Sequence, residues 1–265
     1  MCESEARDGA KAFEERARVI SNAYVGPRLY KITLAAPKTA AAICPGQFVH
    51  MLLPGFGAHI LRRPFSVYDA REDGSIDIIY QTVGEGTAYL TEVEPGAECS
   101  VIAPLGHGWQ THEGKSLIVG GGVGAAPLFM FAQQLAAEGR DFDVVLGAQT
   151  SDMLVTRADY AKLLGRDPVI ATDDGSLGHA GFCTEPVREA LAQGGYANVY
   201  CCGPAPLMRA VAGIAADVGV ECWVSMEKRM ACGVGACLSC VVETQAGKRR
   251  SCVDGPVFNA KELVW

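Results

Sequence analysis

Four cysteines near the end of the chain have the residue type and the spacing of an iron–sulfur site. Cys232, Cys237 and Cys240 follow one another as C-x4-C-x2-C, and Cys252 comes twelve residues later. This arrangement is typical of a plant-type [2Fe–2S] cluster, which is held by four thiolates. The glycines between the cysteines let backbone N–H groups approach the sulfur atoms. A structural zinc ion on the same four thiolates is the alternative, although such sites usually pair two short knuckles.

A glycine-rich turn in the middle of the chain could bind a dinucleotide. The run GGGVGAAP separates an apolar strand from a helical pattern, and its glycines allow a ligand to approach the backbone closely. The N-terminus of the following helix would suit a pyrophosphate. Pro127 stands where the G-x-G-x-x-G pattern has its third glycine, so a tight turn without a ligand is the alternative. The residues predicted to bind NAD here are Gly120, Gly121, Gly122 and Gly124.

Two further loops follow strands of the same predicted sheet. The loop CCGP places Cys202, Gly203 and Pro204 after one strand, and TDDGS at 172–176 follows another. Ligands of open α/β sheets bind at the carboxyl ends of the strands, so the first loop is expected beside the dinucleotide. The carboxylates of the second loop either meet a ribose hydroxyl or cap the next turn. The run GAQTSDM follows the second strand of this predicted sheet and contains no arginine that could bind a 2′-phosphate; the first arginine after it is Arg157. This favours NAD over NADP.

The run LRRPFSVYD in the first half of the chain combines charge, a proline and a hydroxyl within a strand pattern. Arg63 could bind a phosphate, and the Ser66 hydroxyl could bind a flavin ring nitrogen. A solvated edge strand is the alternative, because edges tolerate proline. Further along, Gly86 and Thr87 lie at a predicted helix start, which is another geometry that suits an anion.

The elements that position these residues divide the chain into three parts. Short alternating runs between turn signals predict an antiparallel barrel or sandwich over residues 13–112. Apolar strands alternate with helical patterns over 113–225, which predicts a parallel α/β sheet. Residues 226–265 have too few periodic apolar residues for a core of their own, so a metal centre is expected to fix their shape.

Composition excludes several classes of protein. The 265 residues carry a net charge of −7, so nothing points to a nucleic-acid partner. Residues 116–132 are apolar but contain four glycines and a proline, which argues against a membrane span. The N-terminus has no apolar export signal, and Cys2 is expected on a mobile terminus. The number of cysteines, eleven, is odd, which argues against a disulfide framework. A reducing, cytoplasmic location is therefore expected.

The motifs RPFS, YQT, GEGT, PLGHGW, GGGVGAAP and CCGP occur in the order found in the ferredoxin–NADP reductase superfamily, which the chain resembles from about residue 15 onward. The resemblance implies a Greek-key FAD barrel, an α/β NAD domain and, with the cysteines followed by CVDGP, a small iron–sulfur domain. Within the superfamily, the chain is most similar to the electron-transfer subunits of NAD-dependent dihydroorotate dehydrogenase. The resemblance implies FAD contacts from Arg63, Pro64, Phe65, Ser66, Tyr80, Gln81, Thr82, Gly86 and Thr87; His107 receives no role.

The resembled family implies a partner and a direction of electron flow. The partner is an FMN-containing catalytic subunit that oxidises dihydroorotate, and two copies of each chain form a heterotetramer. Electrons are expected to pass from that subunit through [2Fe–2S] and FAD to NAD+. One alternative is an NAD(P)H-dependent reductase subunit that serves ferredoxin, sulfite or polysulfide. The other is a non-catalytic nucleotide-binding regulator that contains zinc.

Overall fold

The first half of the chain forms an antiparallel, barrel-like sheet of seven strands. The computed structural model describes residues 11–57 and 59–265, so Cys2 and the start of the N-terminal segment lie outside the described residues. The elements are β1 Phe13–Gly26, β2 Leu29–Ala35, α1 Pro37–Ala42, β3 Phe48–Leu52, β4 Arg63–Ser66, β5 Asp69–Ala70, β6 Ser75–Gln81, α2 Glu85–Leu90 and β7 Glu98–Leu105. The strand order is β4-β3-β7-β1-β2-β6-β5, and all pairings are antiparallel.

Alternation of side chains explains how this sheet closes around its core. Along β1, Glu15, Ala17 and Val19 point inward, and their neighbours are exposed. The buried Glu15 carboxylate accepts hydrogen bonds from the backbone N–H groups of Lys38 (3.0 Å) and Thr39 (2.8 Å) at the start of α1. A buried charge is thereby paired with the unsatisfied donors of a helix N-terminus.

The second half forms a doubly wound α/β sheet in the order β11-β10-β9-β8-β12-β13-β16. Its strands are parallel except β16, which pairs antiparallel with β13. The strands are β8 Lys115–Gly121, β9 Phe142–Ala148, β10 Val169–Thr172, β11 His179–Ala180, β12 Tyr196–Cys202, β13 Glu221–Ser225 and β16 Val257–Asn259. The helices are α3 Phe129–Ala137, α4 Arg157–Leu164, α5 Thr184–Gln193 and α6 Ala205–Asp217.

Apolar side chains cover both faces of this sheet. Ile118 of β8 packs with α3 and α4 on one face, and Leu117 and Val119 pack with α5 and α6 on the other. A strand buried on both faces needs a continuous apolar run, which is what the sequence SLIVGG supplies. The predicted combination of an antiparallel barrel and a parallel α/β sheet is therefore confirmed.

Three details of the α/β region differ from the strand–helix pattern read in the sequence. Residues Gly122–Leu128 form a 3-10 turn, so α3 begins at Phe129 rather than at Pro127. Helix α4 was not predicted, although Gly165 ends it with a left-handed φ of 67°, a common helix stop signal. In addition, the final segment supplies β16 to the sheet.

The C-terminal segment shares a core with the α/β sheet. Its hairpin comprises β14 Val241–Thr244 and β15 Gly247–Arg250. Val242, Phe258 and Leu263 belong to the apolar cluster beneath α5 and α6. The shared core explains how a segment poor in apolar residues is held in place. The boundaries of the three predicted parts, 13–112, 113–225 and 226–265, stay predictions.

Candidate functional site

A first cavity of about 850 Å³ lies between the barrel, the glycine-rich turn and the cysteine segment. Seven of the nine residues predicted to contact FAD line it: Arg63, Pro64, Phe65, Ser66, Tyr80, Gln81 and Thr87. Strand β4 supplies four of these residues and stands at the edge of the sheet, so the motif is both an edge strand and a cavity wall.

The other two predicted FAD residues support the cavity wall rather than line it. A Cβ on Gly86 would lie 2.6 Å from Nε of Arg63, so this glycine makes room for the guanidinium. Thr82 is bonded to Arg28, whose Nε donates to the Thr82 carbonyl oxygen at 3.1 Å. The Thr87 hydroxyl accepts the N–H groups of Val83 and Gly84 and so fixes the start of α2.

The charges around the first cavity suit an anionic ligand. Arg62, Arg63, Lys228 and Arg229 line it, in a chain whose net charge is −7. The guanidinium of Arg63 lies 5.1 Å from the ring centre of Phe56, which holds the arginine at the cavity. Four cations and one carboxylate, Glu227, line this cavity, and cations are what the pyrophosphate of FAD requires, so the residues present fit that cofactor.

A second cavity of about 640 Å³ lies at the carboxyl edge of the α/β sheet. Five of the residues predicted to bind NAD line it: Gly121, Gly122, Gly124, Gly203 and Pro204. A Cβ on Gly124 would lie 2.6 Å from Cα of Gly203, so the two loops touch through bare backbone. This bare backbone forms a cradle that fits a dinucleotide.

Gly120 and Cys202 lie behind the second cavity. A Cβ on Gly120 would lie 2.7 Å from Cα of Ala125, so Gly120 lets the turn fold back onto β8. Cys202 is 1% exposed, and burial raises the pKa of its thiol. Both residues shape the cavity through packing.

The structure separates the two readings of the TDDGS loop. Asp173 lines the second cavity, whereas Asp174 accepts hydrogen bonds from the backbone N–H (3.0 Å) and hydroxyl (2.6 Å) of Ser176. One aspartate thus lines the cavity and the other caps the turn. Phe182 and Gln149 also line this cavity and were missed, because an exposed aromatic or amide in a loop carries no motif.

Three residues line both cavities: Gln81, Val123 and Glu227. Glu227 was not predicted, since a single carboxylate before the cysteines has no distinguishing spacing. Its side chain is exposed at the cavities, and desolvation by the surrounding protein raises the pKa of its carboxyl. A ligand in the first cavity and a ligand in the second would therefore meet at this wall.

The four predicted cluster ligands come together as two pairs. The sulfur atoms of Cys240 and Cys252 are 3.3 Å apart, and the backbone N–H of Cys237 donates to Sγ of Cys232 at 3.4 Å. In the described part of the chain, no three cysteine, histidine or carboxylate side chains converge as they would on a single metal ion. Two thiolate pairs fit a [2Fe–2S] cluster, in which each iron takes two protein ligands.

Hydrogen bonds hold the cysteine segment in shape around these pairs. Arg250 donates to the Asp254 carboxylate (3.1 Å) and to the carbonyl oxygen of Gly235 (3.3 Å). The Ser251 backbone N–H donates to the Cys240 carbonyl at 2.9 Å, and its hydroxyl donates to that of Met226 at 2.7 Å. The hairpin therefore fixes the loop from one side.

The two pairs differ in their surroundings. Hydrogen bonds with Ser239, and then with Cys232, lower the pKa of the exposed Cys237 thiol to about 6. Burial, followed by the hydrogen bond with Cys240, raises the pKa of Cys252 to about 12. Cys237, in the outer pair with Cys232, is therefore prepared as a thiolate near neutral pH. The inner pair, Cys240 and Cys252, sits in apolar surroundings.

The cysteine segment borders the first cavity. Phe48 of β3 lines that cavity and packs against Cys240 and Cys252 in one apolar cluster. Met230, Ala231 and Ser239 line the same cavity. A redox group on the four cysteines would thus be a near neighbour of a flavin in the cavity. His107 lies close by, where its backbone N–H donates to the Gly255 carbonyl at 2.6 Å.

Across the described residues, none of the helices has the length and apolar character needed to cross a membrane.

Family models match the two C-terminal parts of the chain. The model described as the iron-sulfur cluster binding domain of dihydroorotate dehydrogenase B matches residues 227–264. The model described as the oxidoreductase NAD-binding domain matches residues 118–213. The first model covers all four cysteines, and the second covers the glycine-rich turn and the CCGP loop.

Curated relatives match along nearly their whole length. A dihydroorotate dehydrogenase B (NAD(+)) electron transfer subunit from Geobacillus thermodenitrificans is 38% identical over 262 residues, covering 94% of this chain and 98% of the relative. The protein of the same name from Desulforamulus reducens is 35% identical, covering 97% of this chain and 99% of its own.

Solved structures share the fold. A structure of an NADH-dependent reduced ferredoxin-NADP oxidoreductase, studied for flavin-based electron bifurcation, superposes with a TM-score of 0.86 at 28% identity. The match covers 94% of this chain and 90% of that one. The ferredoxin reductase of carbazole 1,9a-dioxygenase matches with a TM-score of 0.68 at 22% identity, covering 80% and 68%.

Proposed function

The chain belongs to the family of electron transfer subunits of dihydroorotate dehydrogenase B, and from this premise we propose that it carries electrons between an FMN-containing catalytic subunit and NAD+ in pyrimidine biosynthesis. The observation that carries the proposal is the adjacency of three sites. The second cavity shares a wall with the first, and the first borders the cysteine segment. Such an order suits NAD, FAD and [2Fe–2S] respectively.

Each cofactor is proposed for the site whose residues fit it. When bound, NAD exchanges two electrons as hydride, the cluster exchanges single electrons, and FAD does both. The cations of the first cavity bind the FAD pyrophosphate, with Arg63 on a phosphate and Ser66 on the flavin ring. The bare backbone at Gly124 and Gly203 receives the NAD pyrophosphate, and Cys232, Cys237, Cys240 and Cys252 hold the cluster.

NAD rather than NADP is proposed as the nicotinamide cofactor. Among the described residues that line the second cavity, the charged side chains are Asp173 and Glu227, without lysine or arginine. A carboxylate accepts hydrogen bonds from ribose hydroxyls but repels a 2′-phosphate. Asp173 is therefore the proposed ribose ligand.

The exposed side of the cysteine loop is proposed to face the catalytic subunit. Cys237 is exposed, as are the apolar side chains of Val234 (50%) and Leu238 (62%) beside it. Apolar groups around an exposed redox ligand suit docking of a protein partner. The proposed assembly contains two copies of each chain and works in the cytoplasm, where the free cysteines of the described residues persist as thiols.

The alternative partners named from the sequence have less support. The curated relatives carry the name of the dihydroorotate dehydrogenase subunit over nearly their whole length, which favours that enzyme over ferredoxin, sulfite or polysulfide as the electron partner. The match to the cluster-binding model disfavours the zinc-containing regulator.

Replacement of one exposed ligand tests the proposal. The wild-type chain should contain about two iron atoms per chain, show flavin and iron–sulfur absorbance, and bleach on addition of NADH. In Cys237→Ser, the iron–sulfur absorbance should be lost together with dihydroorotate-dependent NAD+ reduction in the presence of the catalytic subunit. NADH reduction of FAD should be retained, because the second and first cavities are unaltered.

Cys44→Ser is the matched control, since Cys44 is a partly exposed cysteine outside the cysteine segment. It should keep iron, absorbance and turnover. Unchanged iron and unchanged partner-dependent turnover in Cys237→Ser would refute the cluster assignment. Flavin with zinc in place of iron in the wild-type protein would refute it as well.

A further inference from the structure

His50 is a buried histidine whose ring nitrogens make no well-formed hydrogen bond. Its side chain is 0% exposed, and within the described residues neither Nδ1 nor Nε2 has a hydrogen-bond partner. Buried polar atoms are almost always paired, so an unpaired imidazole of this kind needs an explanation. Packing alone does not explain why this position holds a histidine, because an apolar ring would fill the same space without the cost of burying unpaired polar atoms.

The ring lies against the backbone that follows the first predicted cluster ligand. A Cβ on Gly233, the residue after Cys232, would lie 2.5 Å from Nδ1 and 3.0 Å from Cγ of His50. Gly233 also has a φ of 69°, a conformation that glycine adopts without strain. The glycine therefore serves two purposes: it turns the loop, and it lets the imidazole reach the backbone beside Cys232.

Strand β3 connects this ring to the first cavity. His50 pairs with Pro64 of β4, which lines the cavity proposed for FAD. Phe48 lies two residues earlier on the same face and packs against Cys240 and Cys252. One face of one strand thus places an apolar ring against Cys240 and Cys252 and a polar ring against the backbone beside Cys232.

From this geometry we infer that His50 donates a ring N–H hydrogen bond to the sulfur of Cys232 in the cluster-containing protein. The inference rests on the proposed function, because it requires the cluster on these four cysteines. A donor beside a ligating sulfur stabilises the negative charge that an added electron places on the cluster, and so raises its reduction potential. His50 thereby helps the cluster to accept electrons from the partner's side.

The donor does not depend on protonation of the ring. Burial lowers the pKa of His50, Arg62 adds to this effect, and the backbone groups of Arg62 and Cys232 oppose it. A neutral imidazole still carries one N–H.

Redox titration of the full chain with FAD and cluster tests the inference. The midpoint potential of the cluster is followed by electron paramagnetic resonance in wild type, His50→Phe and His50→Gln. In His50→Phe the potential should become more negative, so that the ratio of reduced to oxidised cluster at a fixed potential falls about three- to tenfold, as for loss of one hydrogen bond. His50→Gln keeps an N–H donor and should restore part of the shift.

His112→Phe is the matched control. Like His50, His112 has a buried ring nitrogen, Nε2, without a hydrogen-bond partner. Its ring stacks on Trp223 of β13, with ring centres 4.5 Å apart. This variant should leave the potential unchanged. A fully loaded His50→Phe with the wild-type potential would overturn the inference, as would an equal shift in His112→Phe.

A measurement on the wild-type protein tests the inference even if the His50 variants fail to fold or to bind the cluster. Wild-type protein labelled with ¹⁵N-histidine should show a weakly coupled imidazole nitrogen in spin-echo spectra of the reduced cluster. Absence of that coupling overturns the inference while the proposed function stands. Absence of iron and of the reduced-cluster signal from the wild type is the separate result that defeats the proposed function itself.

Discussion

At the scale of single residues, Glu227 occupies the position where two ligands would meet. Glu227 lies two residues after the end of β13 and lines both cavities. The next two residues, Lys228 and Arg229, are cations that line the first cavity. Its carboxyl is partly withdrawn from water, and desolvation raises its pKa above the usual 4.5. A carboxyl with a raised pKa between the two cavities is the kind of perturbed group that functional sites contain.

The raised pKa predicts how Glu227 affects stability. Between the ordinary pKa of a glutamate and the raised value in the folded chain, the folded protein binds more protons than the unfolded one. The protonated carboxyl therefore stabilises the folded protein fully below this window, and this stabilisation is lost as the pH rises through the raised pKa. A glutamine side chain does not ionise, so Glu227→Gln should not lose this stabilisation. The variant should therefore melt at a higher temperature than wild type at pH 8.

Thermal melting of the cofactor-containing protein at pH 5 and pH 8 checks this expectation. The difference between variant and wild type should be larger at pH 8. Glu94→Gln offers a control, because this carboxylate is exposed. A Glu227→Gln difference that is the same at both pH values would show that the raised pKa plays no part.

At the scale of elements, the second cavity depends on the contact between two loops. The glycine-rich turn after β8 and the CCGP loop after β12 lie at the ends of adjacent parallel strands. A Cβ on Gly124 would lie 2.6 Å from Cα of Gly203 and 2.7 Å from the Cys202 carbonyl oxygen. Both neighbours are backbone atoms that cannot rotate away, so even a methyl group must push the loops apart.

Gly124→Ala should therefore weaken NADH binding without affecting FAD or iron content. We expect the KM for NADH to rise about tenfold or more, equivalent to about 1.4 kcal/mol. Steady-state reduction of the bound flavin by NADH gives the KM, and absorbance gives the cofactor content. Gly213→Ala in α6 is the control, since a Cβ there meets nothing within 4 Å. Equal KM values for the two variants would contradict the role of the loop contact.

At the scale of the whole molecule, contacts between the barrel and the α/β domain set the relation of the two cavities. The Tyr68 hydroxyl, after β4, donates to the Asp159 carboxylate of α4 at 2.5 Å. The same ring stacks on Phe129 at 4.8 Å. Tyr68 is 3% exposed, so its hydroxyl requires this partner. One aromatic residue of the barrel is thus fixed by two helices of the other domain.

Tyr68→Phe should lower the free energy of unfolding by about 1–2 kcal/mol, because it removes a hydrogen bond to a charged group and leaves the stacked ring. Urea denaturation followed by circular dichroism measures the change. Tyr24→Phe is the control, with a ring 64% exposed, and should change stability by less than about 0.5 kcal/mol. An equal effect of the two substitutions would show that the interdomain bond is not stabilising.

Local chemistry made much of the site predictable. Cysteine spacing, the glycine-rich turn and the strand motif each combine residue type with short-range geometry, so Cys232 or Arg63 could be proposed without knowledge of distant contacts. Helix α4 was missed because it spans only eight residues and has little apolar periodicity. Strand β16 was missed because three residues carry too little pattern to reveal that they pair with β13.

The fold class and the ligand chemistry could be predicted from the chain alone, because periodicity, turn residues and motif spacing are local properties. Three facts emerged only from the packed molecule: Glu227 lines both cavities, Asp173 rather than Asp174 lines the second cavity, and His50 lies beside the backbone that follows Cys232. These facts join residues far apart in the chain, or depend on which way one side chain of a loop points. Packing of complete strands and loops fixes such relations, and no local pattern records them.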